Sequence, residues 1–356
     1  MTEVREVAEV RAGEEQDWPA LEAWLRANVD ADVDLSAPMQ PLQFPSGSAN
    51  LTYLMRFGDT ELVVRRPPFG TLAPGAHDMA REHRVLSRLW RIFPQAPRAY
   101  AFCDDEAVIG APFFVMERRE GVVIFDEIPG AMRHHDDVAR RVSFALVDAM
   151  ADFHALDPAA ADLGDLGRPD GFVARQVSGW HKRWELAKLD ALPAMDAVHA
   201  RLERHLPTAA RASFVHNDLK LDNCQFDPAD PDRVKSIFDW DMTTLGDPLV
   251  DLGTLLGYWP DPSDTVIRAS REGWSTMGLP SRAEITAHYA RRAGIDAGSV
   301  DWYEAFALWK TAVVIQQIYV RYVRGQTQDP RFADRGAKVP VLAGLAADVL
   351  DRAGLD

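Results

Sequence analysis

The sequence predicts an α+β fold in two lobes, a small N-terminal lobe on an antiparallel sheet and a larger, mainly helical C-terminal lobe. Three observations predict it. Two β-patterned runs at 51–57 and 61–65 flank Gly58-Asp59, a hairpin signal. From residue 137 onward apolar residues recur with a helical period. One strand-rich stretch at 214–240 interrupts those helices, and it opens with FVHNDLKLDN. A chain of 356 residues is long enough to give two lobes a real core.

In chain order, residues 14–29 carry Trp18, Leu21, Trp24, Leu25 and Val29 at the spacing of a short amphipathic helix. The Pro-containing stretch 37–50, APMQPLQFPSGSAN, reads as loop. After the hairpin, helical spacing resumes over about 78–93, and 111–116 reads as a strand that ends at the charged cluster ERREG. The expected boundary falls near that cluster, giving lobes at 1–117, with the leading helix, and 118–356.

There are 39 basic and 54 acidic side chains, a net charge of -15. That balance argues against non-specific binding to nucleic acid or to anionic membranes, both of which select basic surfaces. Cys103 and Cys224 have no metal-ligand spacing and read as cytosolic thiols. The first thirty residues lack an apolar signal core, and no apolar run approaches the roughly 18 residues of a membrane span. The expectation is a soluble, cytoplasmic protein.

Chemistry concentrates in FVHNDLKLDN. Asp218, Lys220 and Asn223 alternate with Phe214, Val215, Leu219 and Leu221, an apolar scaffold that a surface loop does not need. Downstream, Cys224-Gln225-Phe226, the turn-rich DPADPD and Val234–Phe238 read as a hairpin with a long turn centred near Asp230 and Pro231. Asn223 and Asp239 are each seven or eight residues from that centre, so pairing across it would make them neighbours. An amide oxygen beside a carboxylate suits Mg²⁺, and Asp218 on the preceding loop suits a base. Metal clamp and base together are the parts of phosphoryl transfer.

HNDLKLDN resembles the catalytic loop of the protein-kinase superfamily. The following IFDWDMTTLGDPLVDLG resembles aminoglycoside-phosphotransferase-like small-molecule kinases, not the D-F-G of protein kinases. SANLTYLMRFGDTELVVRRPPFG, AHDMAREHRVLSRL and YEAFALWKTAVVIQQIYVRYVRGQ extend the resemblance over nearly the whole chain. They resemble a subgroup of bacterial phosphotransferase-family proteins that includes the kinase-like domain fused to some eukaryotic acyl-CoA dehydrogenases. The resemblance implies a bilobal protein-kinase-like fold with ATP and Mg²⁺ as cofactors. It implies Asp218 as the base and Asn223 and Asp239 as metal ligands. It also implies His216, Asp241, Asp247 and Asp251 as supports of the site, Asp247-Pro248 also suiting a helix start.

The same resemblance calls for a cation at the nucleotide phosphates. The matching strand reads ELVVRRPP, which makes Arg65 the candidate in place of the usual lysine. Glu82 shares a helical stripe with Val85, Leu86 and Leu89, and a carboxylate on an apolar face needs a partner, for which Arg65 is the natural choice. Ser46, Gly47 and Ser48 would cover the phosphates. Glu117 would sit at the hinge that holds adenine, with Met116 and Val63 lining the purine slot. Lys220 would offset charge on the transferring phosphoryl group or face solvent. Further on, Phe306, Trp309, Val313 and Ile318 are expected to pack inward with Lys310, Arg321 and Arg324 outward; were these cations to face the cleft, they would favour an anionic substrate.

The leading function is therefore a kinase of a small hydroxylated molecule, the subgroup pointing to a hydroxyacyl-CoA. The alternatives are an aminoglycoside or other antibiotic kinase, a protein kinase, and a nucleotide-binding pseudokinase regulator. A protein kinase is disfavoured because DWD replaces DFG and no A-P-E-like anchor follows. A pseudokinase would have lost a base or ligand, and Asp218, Asn223 and Asp239 are all present.

Overall fold

A computed structural model describes residues 7–44, 50–70, 78–209, 211–266, 268, 271–327 and 330–356. The fold is α+β. The chain divides into two compact units, Met1–Glu120 with Lys235–Thr243, and Gly121–Val234 with Thr244–Asp356. Against the expected lobes at 1–117 and 118–356, the first unit gains the segment 235–243, which returns to it from far along the chain.

In the first unit, helix α1 (Trp18–Asn28) precedes strands β1 (Met39–Gln43), β2 (Leu51–Phe57) and β3 (Thr60–Arg66). Helix α2 (Met79–Leu89), strand β4 (Ala99–Cys103), short helix α3 (Glu106–Ile109) and strand β5 (Phe113–Glu117) follow. The sheet is antiparallel, in the order β1-β2-β3-β5-β4. The β2–β3 hairpin turns at Gly58, whose φ of +61° is the left-handed conformation that glycine adopts without steric cost. Alternation along β2, β3 and β5 sends Tyr53, Met55, Val64 and Val115 into one core with Leu21 and Leu25 of α1. The opposite parity, Val63, Arg65 and Met116, faces the other way.

Two sequence expectations change here. Helix α1 starts at Trp18 instead of 14, because the Asp17 carboxylate caps it by accepting from the Ala20 N–H at 3.0 Å. The stretch read as loop contains β1. Its Pro41 is tolerated because β1 lies at the sheet edge, where only one side needs hydrogen-bond donors.

The second unit opens with β6 (Val122–Val123), α4 (Val138–His154), α5 (Phe172–Ala187) and α6 (Pro193–Arg204). Strands β7 (Ser213–Val215), β8 (Cys224–Asp227), β9 (Asp230–Ile237) and β10 (Thr244–Gly246) come next, the end of β9 passing into the first unit. Helices α7 (Leu249–Tyr258), α8 (Arg282–Ala293), α9 (Val300–Val323) and α10 (Lys338–Arg352) complete it. Helix α7 packs directly on α9. A Cβ at Gly253 would lie 2.5 Å from the backbone carbonyl carbon of Tyr303, so only glycine permits that approach. Among the described residues, no helix is long and apolar enough to cross a membrane.

The hairpin after the HNDLKLDN loop is tighter than expected. β8 ends at Asp227 and β9 begins at Asp230, so the turn is Pro228-Ala229. Counted from that turn, the position matching Asn223 is Val234. The register argument that set Asn223 opposite Asp239 therefore fails, and Asp239 stands two residues beyond the end of β9.

Candidate active site

In the second unit the loop between β7 and β8 is fixed from beneath. Phe214, Val215, Leu219 and Leu221 are completely buried, which is the work of the apolar residues threaded through the motif. The Asp251 carboxylate, in the first turn of α7, accepts the His216 N–H on one oxygen and the Asn217 N–H on the other, both at 2.6 Å. His154, at the end of α4, meets Asp251 at 3.0 Å through Nε2 and the Tyr289 hydroxyl at 2.7 Å through Nδ1. Burial alone would raise the Asp251 pKa. The hydrogen bond and charge of His154, with His216, instead hold it below the usual carboxylate range.

Asn217 has a φ of +69°, a left-handed conformation for a non-glycine residue. Lys310 of α9 donates to its carbonyl at 3.2 Å. The next residue, Asp218, carries a side chain that is 25% exposed, unlike its buried apolar neighbours. The Asn223 amide donates to the Asp218 carbonyl at 2.8 Å and to its carboxylate at 3.0 Å. Lys220 forms an ion pair with the same carboxylate oxygen and lies 5.5 Å from the centre of the Tyr258 ring. Burial works against the Lys220 charge, but Asp218 and Asp222 more than compensate and raise its pKa. The Lys220 side chain is 16% exposed and turned onto Asp218.

The remaining supports are local. Asp247, one residue before the cap position of α7, accepts the Leu249 N–H at 3.1 Å, and its second oxygen accepts the Tyr303 hydroxyl. His216 is buried, its Nδ1 accepting the Asp218 N–H at 3.3 Å, which ties the loop to itself.

In the first unit Arg65 on β3 pairs with Glu82 on α2 at 3.2 Å, and with Asp239. Burial pushes the Glu82 carboxyl up to about 8, with Arg65 opposing and Asp239 and Asp241 adding to the rise. For Arg65 the carboxylates outweigh burial and raise its pKa, so it stays charged. The returning segment is anchored beside them. The Ile237 N–H reaches the Gln95 carbonyl at 2.9 Å, Arg81 donates to the Thr243 carbonyl at 2.7 Å, and Trp240 stands edge-on to Phe93. Asp239 itself is left-handed, with a φ of +68°. Asp241 is partly exposed in the single turn Trp240–Met242.

Val63 and Met116 are cross-strand partners and nearly buried. The Glu117 N–H is committed to the Arg98 carbonyl at 2.9 Å, and its carboxylate to the Arg98 N–H at 2.6 Å and to Arg119 at 2.8 Å. Ser46, Gly47 and Ser48 lie outside the described residues.

Within the second unit the Asn223 amide nitrogen is spent on Asp218, so its amide oxygen is the atom of that side chain suited to a hard cation.

Lys310 is the main correction on the helical side. Expected to face outward, it is buried, whereas Arg321 and Arg324 are exposed. The signal was present: Lys310 shares the stripe of Phe306 and Val313, the reasoning that found Glu82. His154 was missed in the same way, since it follows Val147 and Met150 on an apolar stripe.

The model of a family described as Phosphotransferase enzyme family matches residues 41–292. Acyl-CoA dehydrogenase family member 10 of Mus musculus is 32% identical over 94% of this chain, which spans 31% of that protein's length. The curated relatives of this kind are all much longer, the chain spanning well under half of each. A candidate aminoglycoside phosphotransferase from Ralstonia eutropha superposes with a TM-score of 0.76 at 29% identity, covering 95% of this chain and 99% of its own. The aminoglycoside phosphotransferase APH(4)-Ia, solved with AMP-PNP and hygromycin B, shares the fold at a TM-score of 0.59 and 15% identity, covering 93% and 98%.

Proposed function

Because the chain belongs to the phosphotransferase enzyme family, we propose that it is an ATP- and Mg²⁺-dependent kinase of a small hydroxylated molecule, with a hydroxyacyl-CoA as the acceptor class. The observation that carries the reading is Asp218. It is a partly exposed carboxylate on a loop whose apolar residues are buried, held by Asn223 and Lys220 and locked through Asp251.

In this reading Asp218 orients the acceptor hydroxyl and takes its proton as the oxygen attacks the γ-phosphorus and the bond from that phosphorus to the β,γ-bridging oxygen breaks, ADP carrying away the electron pair. Asn223 holds the Asp218 carboxylate in place through its amide hydrogens. Lys220, charged and close to the reacting groups, offsets charge that grows on the transferring phosphoryl. Arg65, oriented by Glu82, is the cation for the nucleotide phosphates. Asn223 and Asp239 would hold Mg²⁺, which when bound neutralises phosphate charge. By their place in the sequence, Ser46, Gly47 and Ser48 are assigned to the phosphates, and Met116 and Val63 to the purine slot; the Glu117 N–H, spent on the Arg98 carbonyl, is not the group that holds adenine. The protein acts in the cytoplasm, on a small molecule and not on nucleic acid or membrane.

Two features support the hydroxyacyl-CoA class over an aminoglycoside. The curated relatives are named for acyl-CoA chemistry. In addition, Asp218 is already ion-paired with Lys220 and Lys310 lies behind it, so a polycationic acceptor would approach a carboxylate whose charge is neutralised.

The test is Mg-ATP-dependent ADP release across 4-hydroxyacyl-CoAs, aminoglycosides, amino alcohols and sugars, with Asp218→Asn as the blank. Acceptor-dependent turnover with a hydroxyacyl-CoA, reduced about a hundredfold or more in Asp218→Asn, is the expected result. Turnover with aminoglycosides alone would replace the acceptor class. ATP binding with silence across the panel would favour the pseudokinase reading, and no nucleotide binding at all would overturn both.

A further inference from the structure

Lys310 is a lysine in a place that lysines avoid. It sits midway along α9 and is 7% exposed, with its ammonium 3.2 Å from the Asn217 carbonyl and 5.4 Å from the centre of the Trp180 ring. An apolar residue would fill that stripe of the helix at lower cost, since a buried charge is tolerated only where something holds it. What holds it is the backbone of the residue that precedes the candidate base. That residue is also in a left-handed conformation, which carries a steric cost for asparagine and persists only when its surroundings enforce it. The Asn217 N–H is fixed by Asp251 and its carbonyl by Lys310, so the two peptides that flank one residue are held from two helices, α7 and α9.

We propose that Lys310 is a positioning residue, its ammonium clamping the Asn217 carbonyl so that the left-handed turn aims the Asp218 carboxylate. The functional part rests on the reading of Asp218 as the base; the clamp itself does not. The groups that act on Lys310 are Asp218 and Lys220 on the loop, Asp251 on α7 and Arg183 on α5. Burial outweighs the two carboxylates and lowers its pKa, so the clamp loses its charge at a lower pH than an exposed lysine would.

Hydrogen exchange of the free full-length chain tests the clamp without an acceptor or turnover. In Lys310→Met, which keeps the packing, amides of the loop at 217–223 should exchange at least about tenfold faster while those of α9 and α10 are unchanged. Wild-type loop protection, corrected for intrinsic exchange, should also fall as pH rises towards 10, whereas Lys310→Met should show no such step. Burial disfavours the charged form, so wild-type global stability relative to Lys310→Met should rise over that same range. Loop protection and global stability thus move in opposite directions, which a purely packing role does not produce. Unchanged loop exchange in the variant, or loss of protection spread through α9, would overturn the clamp. Should Lys310→Met fail to fold, the wild-type pH step decides, and its absence counts against the proposal. With a turnover assay in hand, kcat should fall about thirtyfold with the KM for Mg-ATP unchanged; failure of the kinase reading would leave the exchange result standing.

Discussion

Glu82 is the residue whose chemistry can be read most directly as stability. Its carboxyl is almost fully buried on the inner face of α2, pushed up to about 8 from an ordinary 4.5. The folded chain therefore binds a proton that the unfolded chain has released, in the window between those values. Stability from this group is fully present below the lower value and is lost as pH rises through the higher one, with a slope of at most about 1.4 kcal/mol per pH unit. Glu82→Gln keeps the shape and removes the titration. Thermal midpoints followed from about pH 5 to about pH 8 should decline more steeply in wild type than in the variant. Parallel curves would mean that Glu82 ionises outside this window. Asp251 has the opposite sign. Its folded pKa is held low, so its stabilising contribution is present above the ordinary carboxylate value and lost as pH falls through the folded one. Asp251→Asn puts an amide hydrogen where an N–H donor already points. It should cost about 2–4 kcal/mol in urea unfolding.

At the scale of elements, the packing of α7 on α9 carries the loop's supports, since Asp251 lies on one helix and Lys310 on the other. Gly253 and Gly257 both face α9, but differently. A Cβ at Gly253 would meet Tyr303 backbone at 2.5 Å, whereas one at Gly257 would meet the Ala307 Cβ at 3.1 Å. Alanine gains about 1 kcal/mol of helix propensity at either site. At Gly253 the clash with backbone cannot be relieved by a side-chain rotation, so Gly253→Ala should destabilise by about 1–3 kcal/mol. Gly257→Ala should stay within about 1 kcal/mol of wild type. Urea unfolding of both variants checks this, and equal effects would show that the helices separate freely. Elements were legible in the sequence where one period dominated, as in the β2–β3 hairpin and in α2. They were not legible where position in the sheet overrides propensity, as at β1 with its Pro41 on an edge. The β8–β9 turn was misplaced by two residues because DPADPD offers several turn-forming pairs and only the strand pairing chooses among them. In the site, charged residues on apolar stripes were legible when the stripe was used as evidence. Glu82 was read that way, while Lys310, on an equally apolar stripe, was assigned outward because lysines usually face water.

For the whole molecule, the net charge of -15 sets a field that no single pocket controls. Long-range attraction or repulsion acts on association, is screened over roughly 10 Å at 0.1 M salt, and is therefore visible as an ionic-strength effect on kcat/KM at saturating Mg-ATP. An acyl-CoA acceptor carries several negative charges and is repelled by this chain at a distance. Its kcat/KM should rise about two- to fivefold when KCl is raised from about 20 to about 150 mM, because screening weakens the repulsion. A polycationic acceptor is drawn in by the same field, and its kcat/KM should fall over that range. The kcat should be insensitive in both cases, since bound groups close to Asp218 are screened little. The sign of the slope thus reports the acceptor's charge independently of which compound in the panel turns over fastest. A falling slope with a confirmed acyl-CoA acceptor would show that cations beside the site, Lys220 among them, outweigh the acidic balance of the chain.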